Sequence, residues 1–373
     1  MHILMFGLDN TMFTSENRGD LPKRLLEYAK HVDRISIIIH TPAKNYEPLT
    51  LAPNVTAYPT NSKRPTRFMR DAVRIALDIH AKNPASLTTA QDPFACAIAA
   101  NRFKKKTSVP FIVNIVSSFF DDPFWKRENW KNRFLNILGK RLIRKADGVR
   151  VECETERQKC ISLGVSPEKV KVAPVLVDLK RFANEQHSVR AQYLGNHDRI
   201  VLYIGRLSVE KNVGYLIDAA NIVTEKRPKT LFLIVGGGPE QEKLEAQAED
   251  NPHVIFTGRV PHADIPKYHK AADLFVLPSL YEGIPLVIVE ASAAGLPVIC
   301  TDVRDAPDVI EDGKTGYIVQ KGKPDLLAEK IITLLESPFR HEMGKNGQAL
   351  VIKQFDPELN LRQCLELWKQ VAQ

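Results

Sequence analysis

Short continuous runs of Val, Ile and Leu, each followed by a longer amphipathic segment, recur along this 373-residue chain. That alternation constrains the fold more than any other feature. In the first half the runs are 2–7 (HILMFG), 35–40, 111–116 (FIVNIV), 148–153 and 170–175. In the second half they are 200–206 (IVLYIGR), 230–238 (TLFLIVGGG), 254–260, 274–279 and 297–302. Runs without polar alternation are strands buried on both faces, and the segments between them supply the covering helices. Helices are expected over 66–82 and 130–146, then over 212–226, 239–249, 264–271 and 285–294. The fold class that follows is α/β, with parallel, Rossmann-like sheets.

The length suits two such units. They meet within VAPVLVDLKRFANEQH (172–187), where strand composition gives way to polar and charged residues. The first domain is expected over 1–178 and the second over 179–355. The segment 356–373 carries Leu359, Leu361, Cys364, Leu365, Leu367 and Trp368 near helical spacing, and is expected to pack back on the first domain. Open parallel sheets bind ligands beyond the carboxyl ends of their strands, so a cleft between two of them is where chemistry is expected.

Charge divides along the same line. The net charge is +8; through Arg181 there are 31 Lys and Arg against 18 Asp and Glu, +13, and from Phe182 onward 21 against 26, −5. The basic half is expected to face something anionic. Within 122–147 (DPFWKRENWKNRFLNILGKRLIRKAD), eight Lys and Arg accompany one Glu between Lys126 and Lys145. Trp130, Phe134, Ile137, Leu138 and Leu142 fall on one helical face there, with Phe120, Phe124 and Trp125 upstream. Two readings stand: a core-packed helix with solvated cations, or peripheral contact with an anionic membrane face. No nucleic-acid module accompanies the charge, so no nucleic-acid partner is expected. The N-terminus lacks a basic n-region, and Gly7, Asp9 and Asn10 break its apolar run at once. Five cysteines without CxxC spacing suggest a reduced cytoplasmic chain and no zinc site.

Three strand-end loops carry the polar residues of interest. GRLSVEKN places Arg206 and Lys211 across a loop and a helix start, suited to a diphosphate or to plain solvation. GGGPE (236–240) could cradle phosphate or serve close packing, and no Walker lysine follows it. YEGIPLVIVEASAAG places Glu282 in a loop and Glu290 in an otherwise apolar helix, with Pro285 in the first turn and Gly295 at the end. An unpaired carboxylate among apolar residues costs several kcal/mol. Glu290 therefore needs either an internal cation or a ligand diol, since a carboxylate can accept from two vicinal hydroxyls.

GRLSVEKN, the glycine-rich strand end, TGRV, YEGIPLVIVE and DGKTGYIV occur in that order over 195–320. In this the chain resembles the retaining glycosyltransferases of the large family-four group, the glycosyl transferases group 1, which have the two-domain GT-B architecture. The linker pattern at Val177, Asp178 and Phe182 is similar as well. The resemblance implies that Arg206 and Lys211 neutralise the donor diphosphate and the leaving group. It implies that Glu290 holds the ribose, that Glu282 meets the donor sugar, and that the backbone of Gly283, Ile284, Pro285 and Leu286 lines the sugar and phosphates. Arg259 and Val260 would border the base. It further implies no cofactor and no metal, with a nucleotide-sugar as donor and an anionic or lipid-linked acceptor. Two positions depart from the family pattern: Ser117–Ser118 stand where a donor-contacting His is usual, and a single Gly19 precedes Asp20 where paired glycines are usual. Ser117 motivates one alternative, a catalytically silent partner subunit that binds sugar nucleotides. A nucleotide-sugar 2-epimerase of GT-B fold is another.

Overall fold

The computed structural model describes residues 1–14, 21–116 and 119–373, which divide into two compact units. One is Met1–Leu176 together with Pro357–Gln373, and the other is Val177–Asp356. Eight strands form the first unit's sheet: β1 His2–Gly7, β2 Arg34–Ile39, β3 Leu49–Ala52, β4 Val55–Pro59, β5 Leu87–Ala90, β6 Phe111–Ile115, β7 Gly148–Val151 and β8 Val170–Val172. Their order is β3-β4-β2-β1-β5-β6-β7-β8, and every pair is parallel except β3 with β4. The second unit has β9 Arg199–Ile204, β10 Thr230–Val235, β11 Val254–Gly258, β12 Leu274–Leu277, β13 Val298–Thr301 and β14 Gly316–Val319, all parallel, in the order β11-β10-β9-β12-β13-β14. The winding reverses between β9 and β12, so the loops leaving those two strands diverge and open a crevice at their carboxyl ends.

Side-chain burial explains the continuous runs. All six residues of β1 and of β10 are buried, as expected for strands covered on both faces. Four strands escape the run pattern: β3, β4, β5 and β14. The most consequential is β5 (LTTA), which is fully buried between β1 and β6 although it has only one large apolar residue. Thr88 hides its hydroxyl by donating to the Pro110 carbonyl at 3.2 Å, which lets a polar residue sit inside a sheet.

The final helix, Pro357–Ala372, belongs to the first unit. Cys364, Leu365, Leu367 and Trp368 enter its core, and the Trp368 ring lies 5.0 Å from that of Tyr28. Gly148 makes room: a Cβ there would sit 2.9 Å from Val371 Cγ2 and 3.1 Å from Leu367 Cδ1. Among the described residues, no helix is long and apolar enough to cross a membrane.

In the second unit, Phe182 of the short helix Leu179–Ala183 packs on His269, whose ring also meets Phe275 at 5.8 Å. His269 is fully buried, and neither ring nitrogen has a hydrogen-bond partner among the described residues. Burial first, then the neighbouring Arg181 and His262, pushes its pKa down to about 3. The folded ring stays neutral while the unfolded chain protonates near pH 6.5. Stability is therefore complete above about pH 6.5 and declines as pH falls towards 3. At pH 5 the loss is of order 2 kcal/mol. In His269→Leu, the gap in denaturation midpoint between pH 7 and pH 5 shrinks accordingly.

Candidate functional site

The crevice between β9 and β12 is lined by two loops stitched together through their backbones. After β9, Gly205–Ser208 leads into a single turn of 3₁₀ helix, Val209–Lys211, and Asn212 then takes a left-handed conformation (φ 51°) before helix Val213–Lys226. Asn is among the few side chains that tolerate that backbone. After β12, the loop runs from Pro278 to Pro285 and enters helix Leu286–Ala293. The Leu280 amide donates to the Glu210 carbonyl at 2.8 Å, and Asn212 Nδ2 donates to the Pro278 carbonyl at 3.3 Å.

These bonds bring Lys211 against Glu282. Lys211 Nζ donates to Glu282 Oε1 at 2.5 Å, and Ser279 Oγ donates to the same oxygen at 2.6 Å. Ser279 is itself buried, with its carbonyl accepting from Thr301 Oγ1 at 2.5 Å. The Glu282 side chain is only 11% exposed, and the ammonium is its ion-pair partner. A second cation reaches the same loop: Lys321 Nζ donates to the Leu280 carbonyl at 3.0 Å.

The Arg206 loop is fixed from beneath. Tyr203, fully buried on β9, donates its hydroxyl to the Arg206 carbonyl at 3.0 Å. Burial, then the negative charges of Glu282 and Glu210, pushes that phenol well above its ordinary range, so it remains a donor. Arg206 is exposed and makes no ion pair among the described residues. It is the cation of this pair left facing solvent.

The glycine-rich turn packs closely on the loop after β9. Leu207 donates its amide to the Gly237 carbonyl at 3.2 Å, and Glu240 donates to the Leu207 carbonyl at 3.0 Å. A Cβ on Gly236 would lie 1.8 Å from the Gly205 carbonyl oxygen, and one on Gly238 would lie 2.1 Å from that of Leu207. These glycines let the β10 turn press against the loop that carries Arg206. Arg259, exposed just after β11, runs alongside, because a Cβ on Gly237 would meet Arg259 Cγ at 2.9 Å. Arg206 follows β9, and Arg259 and Val260 follow β11, on either side of the β10 turn.

Glu290 is buried within helix Leu286–Ala293, among Ile288, Val289 and Ala291. Its carboxylate faces His262, with Nε2 at 3.6 Å from Oε1. Arg181 closes the other side of that imidazole. Its Nη1 lies 3.3 Å from Nδ1, and its Nη2 donates to the His262 carbonyl. The internal cation weighed from the sequence is therefore a histidine whose charge is optional. Gly283, Ile284 and Pro285 are buried in the approach to the helix, and the first-turn amides of Ile288 and Val289 already bond to the Pro285 carbonyl. Gly19 and Ser117 lie outside the described residues.

Sequence reasoning missed Tyr203, Ser279, His262 and Arg181. Ser279 sits three residues before Glu282 in the same strand-end loop, and His262 opens a helix directly after a strand. Both positions are legible as strand-end polar residues. The partners they choose are not.

Residues 186–350 match the family described as glycosyl transferases group 1, and residues 31–175 match the glycosyl transferase 4-like domain. A GDP-mannose-dependent alpha-(1-6)-phosphatidylinositol monomannoside mannosyltransferase of Mycolicibacterium smegmatis is 35% identical over 190 residues, covering 47% of this chain and 50% of its own. An Escherichia coli UDP-Gal:alpha-D-GlcNAc-diphosphoundecaprenol alpha-1,3-galactosyltransferase is 28% identical over 262 residues, 66% of each chain. The chain thus spans about half to two thirds of the length of these relatives. Among solved structures, sucrose-phosphate synthase from Thermosynechococcus elongatus superposes with a TM-score of 0.84 at 21% identity, over 100% of this chain and 99% of the other. Two parallel Rossmann-like sheets in this strand order, matched by two family segments in sequence, identify the chain as a member of the glycosyl transferases group 1 family with the GT-B fold.

Proposed function

We propose that this chain is a retaining, metal-independent hexosyltransferase that takes a UDP- or GDP-hexose as donor. The observation that carries the proposal is the Lys211–Glu282 pair at 2.5 Å, fixed across the β9 and β12 loops beside Arg206. An ammonium has three donors, so Lys211 can hold Glu282 and still reach a diphosphate oxygen. Arg206 supplies the second positive charge, and two fixed cations give the leaving diphosphate the electrostatic stabilisation a metal would otherwise supply. Glu282, oriented by Ser279 and Lys211, meets hydroxyls of the donor sugar. Glu290 accepts from the ribose diol, with His262 behind it. The backbone of Gly283 to Leu286 borders the sugar and phosphates, while Arg259 and Val260 border the base. The acceptor hydroxyl attacks the anomeric carbon on the face from which the nucleoside diphosphate departs, and its proton leaves with that diphosphate.

A lipid-linked or polysaccharide-precursor acceptor is favoured by the +13 charge of the first half. The names of the two relatives, a phosphatidylinositol mannoside enzyme and a diphosphoundecaprenol enzyme, point the same way. The test incubates the protein with UDP- and GDP-hexoses and glycolipid acceptors in excess chelator, reading released diphosphate and the product's anomeric proton. An α-linked product from an α-linked donor, undiminished by chelator, is expected. An inverted product or a chelator-sensitive rate overturns the mechanism. Donor binding without turnover on any acceptor favours the silent partner subunit that Ser117 motivates.

A further inference from the structure

Helix Trp130–Lys145 packs on the first unit through Asn136, Gly139, Leu142 and Ile143, all buried. Gly139 sets the depth, since a Cβ there would lie 2.9 Å from ring atoms of both Phe94 and Phe120. With 3.6 residues per turn, the direction opposite Gly139 carries Trp130, Phe134 and Ile137. They are 77%, 65% and 53% exposed. This differs from the single apolar stripe expected from sequence: Leu142 enters the core, and the three larger residues upstream do not. Upstream, Trp125 turns inward and stacks on Phe94 at 5.4 Å, while Phe124 stays 38% exposed.

Cations frame the outward arc. Arg133, Arg141 and Arg144 are exposed and lie within about a quarter turn of Ile137. Lys131 reaches over the Trp130 ring at 6.0 Å from its centroid. Asp121, at the upstream end, is tied by Lys140 at 2.6 Å and Lys159 at 3.2 Å, and Asp122 caps the helix Pro123–Glu128 by accepting from the Trp125 amide. An apolar arc flanked by arginines and topped by a tryptophan has the chemistry of an interfacial helix. Its rings and aliphatic chains enter the acyl boundary while its guanidiniums meet phosphates. The basic first half extends the same field, and charge complementarity selects an anionic surface.

We propose that this helix docks the first unit on an anionic lipid bilayer. Trp130, Phe134 and Ile137 insert shallowly, and Arg133, Arg141 and Arg144 lie at the headgroups. The proposal deepens the lipid-acceptor reading and rests on it for its purpose, while its test needs no nucleotide. The chain has three tryptophans, and Trp125 and Trp368 are buried, so a blue shift of emission on membrane binding reports Trp130.

The experiment adds vesicles of equal parts phosphatidylcholine and phosphatidylglycerol, with pure phosphatidylcholine as control, and follows fluorescence and co-sedimentation. Wild type is expected to sediment with the anionic vesicles, shift its emission, and release at high salt. Trp130→Ala/Phe134→Ala/Ile137→Ala is expected to weaken partitioning by roughly tenfold or more, with an unchanged melting curve because the three side chains are exposed. Each of Arg133→Gln, Arg141→Gln and Arg144→Gln is expected to weaken it about fivefold. Failure of wild type to sediment overturns the proposal, as does equal sedimentation of the triple variant. A wild-type dimer that the triple variant converts to monomer also overturns it, because a second copy then covers the face. Transfer to a water-soluble acceptor should survive in the triple variant, so failed docking and failed transfer are read separately.

Discussion

Lys211→Ala is expected to lower the rate of sugar transfer by about 10²–10³-fold, with a smaller effect on acceptor affinity. Two losses combine. The departing diphosphate loses one of its two fixed cations, and Glu282 loses the ammonium 2.5 Å from its carboxylate. With a side chain 11% exposed and only the Ser279 hydroxyl remaining, Glu282 has to move to recover solvation. That movement misplaces it for the sugar. Part of the effect therefore reaches stability, of order 1–3 kcal/mol. Lys211→Arg keeps the charge but exchanges a point donor for a planar fork, so it should recover stability better than rate. A cycle with Glu282→Gln separates the contributions. The double variant should be far less impaired than the product of the single effects, because each single change already breaks the shared contact. Additive losses would show that the two side chains act independently.

Gly236→Ala is expected to cost at least about 3 kcal/mol and to abolish donor binding at working temperature. The added Cβ would lie 1.8 Å from the Gly205 carbonyl oxygen, and the residue's φ of +138° is unfavourable to any side chain. The obstructing atom is backbone, so no rotamer relieves the clash. The loop through Gly205, Arg206 and Leu207 must move instead, taking the Arg206 guanidinium with it. Gly258→Ala is the control. Its φ is +71° but nothing lies within 4 Å of the added Cβ, so the cost is only the left-handed backbone, about 1 kcal/mol. Chemical denaturation of both variants, followed by nucleotide titration of each at a temperature where it is folded, measures the difference. Comparable behaviour of the two would mean that close approach at the β10 turn does not hold the Arg206 loop.

Such effects explain which parts of the molecule were legible in its sequence. Runs such as IVLYI and TLFLIV announce buried strands because both faces are covered, and the alternation with helices then gives the sheet class. β5 could not be found that way, since the Thr88 hydroxyl is satisfied by the distant Pro110 carbonyl, which no local pattern encodes. The carboxylate pair was legible because an acid inside the apolar helix 286–293 requires an explanation, whereas His262, which faces it, comes from the turn after β11. The glycines at 236–238 could be seen but not interpreted. Phosphate cradling and close packing both demand glycine there, and the approach to the Gly205 and Leu207 carbonyls, which shows the packing, is not a local feature. The exposed arc of helix Trp130–Lys145 was hidden by its periodicity. Leu142 and Trp130 read as one stripe, yet the helix turns Gly139 inward, where the neighbouring rings of Phe94 and Phe120 leave no space for a side chain.

The central claim is that the loops after β9 and β12 hold a nucleotide-sugar, with Glu290 on its ribose. Titrating wild type and Glu290→Ala with UDP, GDP and ADP, by calorimetry and by shift of melting temperature, tests it most directly. One nucleotide should raise the wild-type melting temperature by several degrees at saturation, in line with binding to the folded state alone. Glu290→Ala should lose at least about 1.5–3 kcal/mol of that affinity while remaining folded, the loss for one hydrogen bond to a charged acceptor. If no nucleotide binds wild type, or if Glu290→Ala binds as tightly, the carboxylate serves only its histidine neighbour and the donor site lies elsewhere.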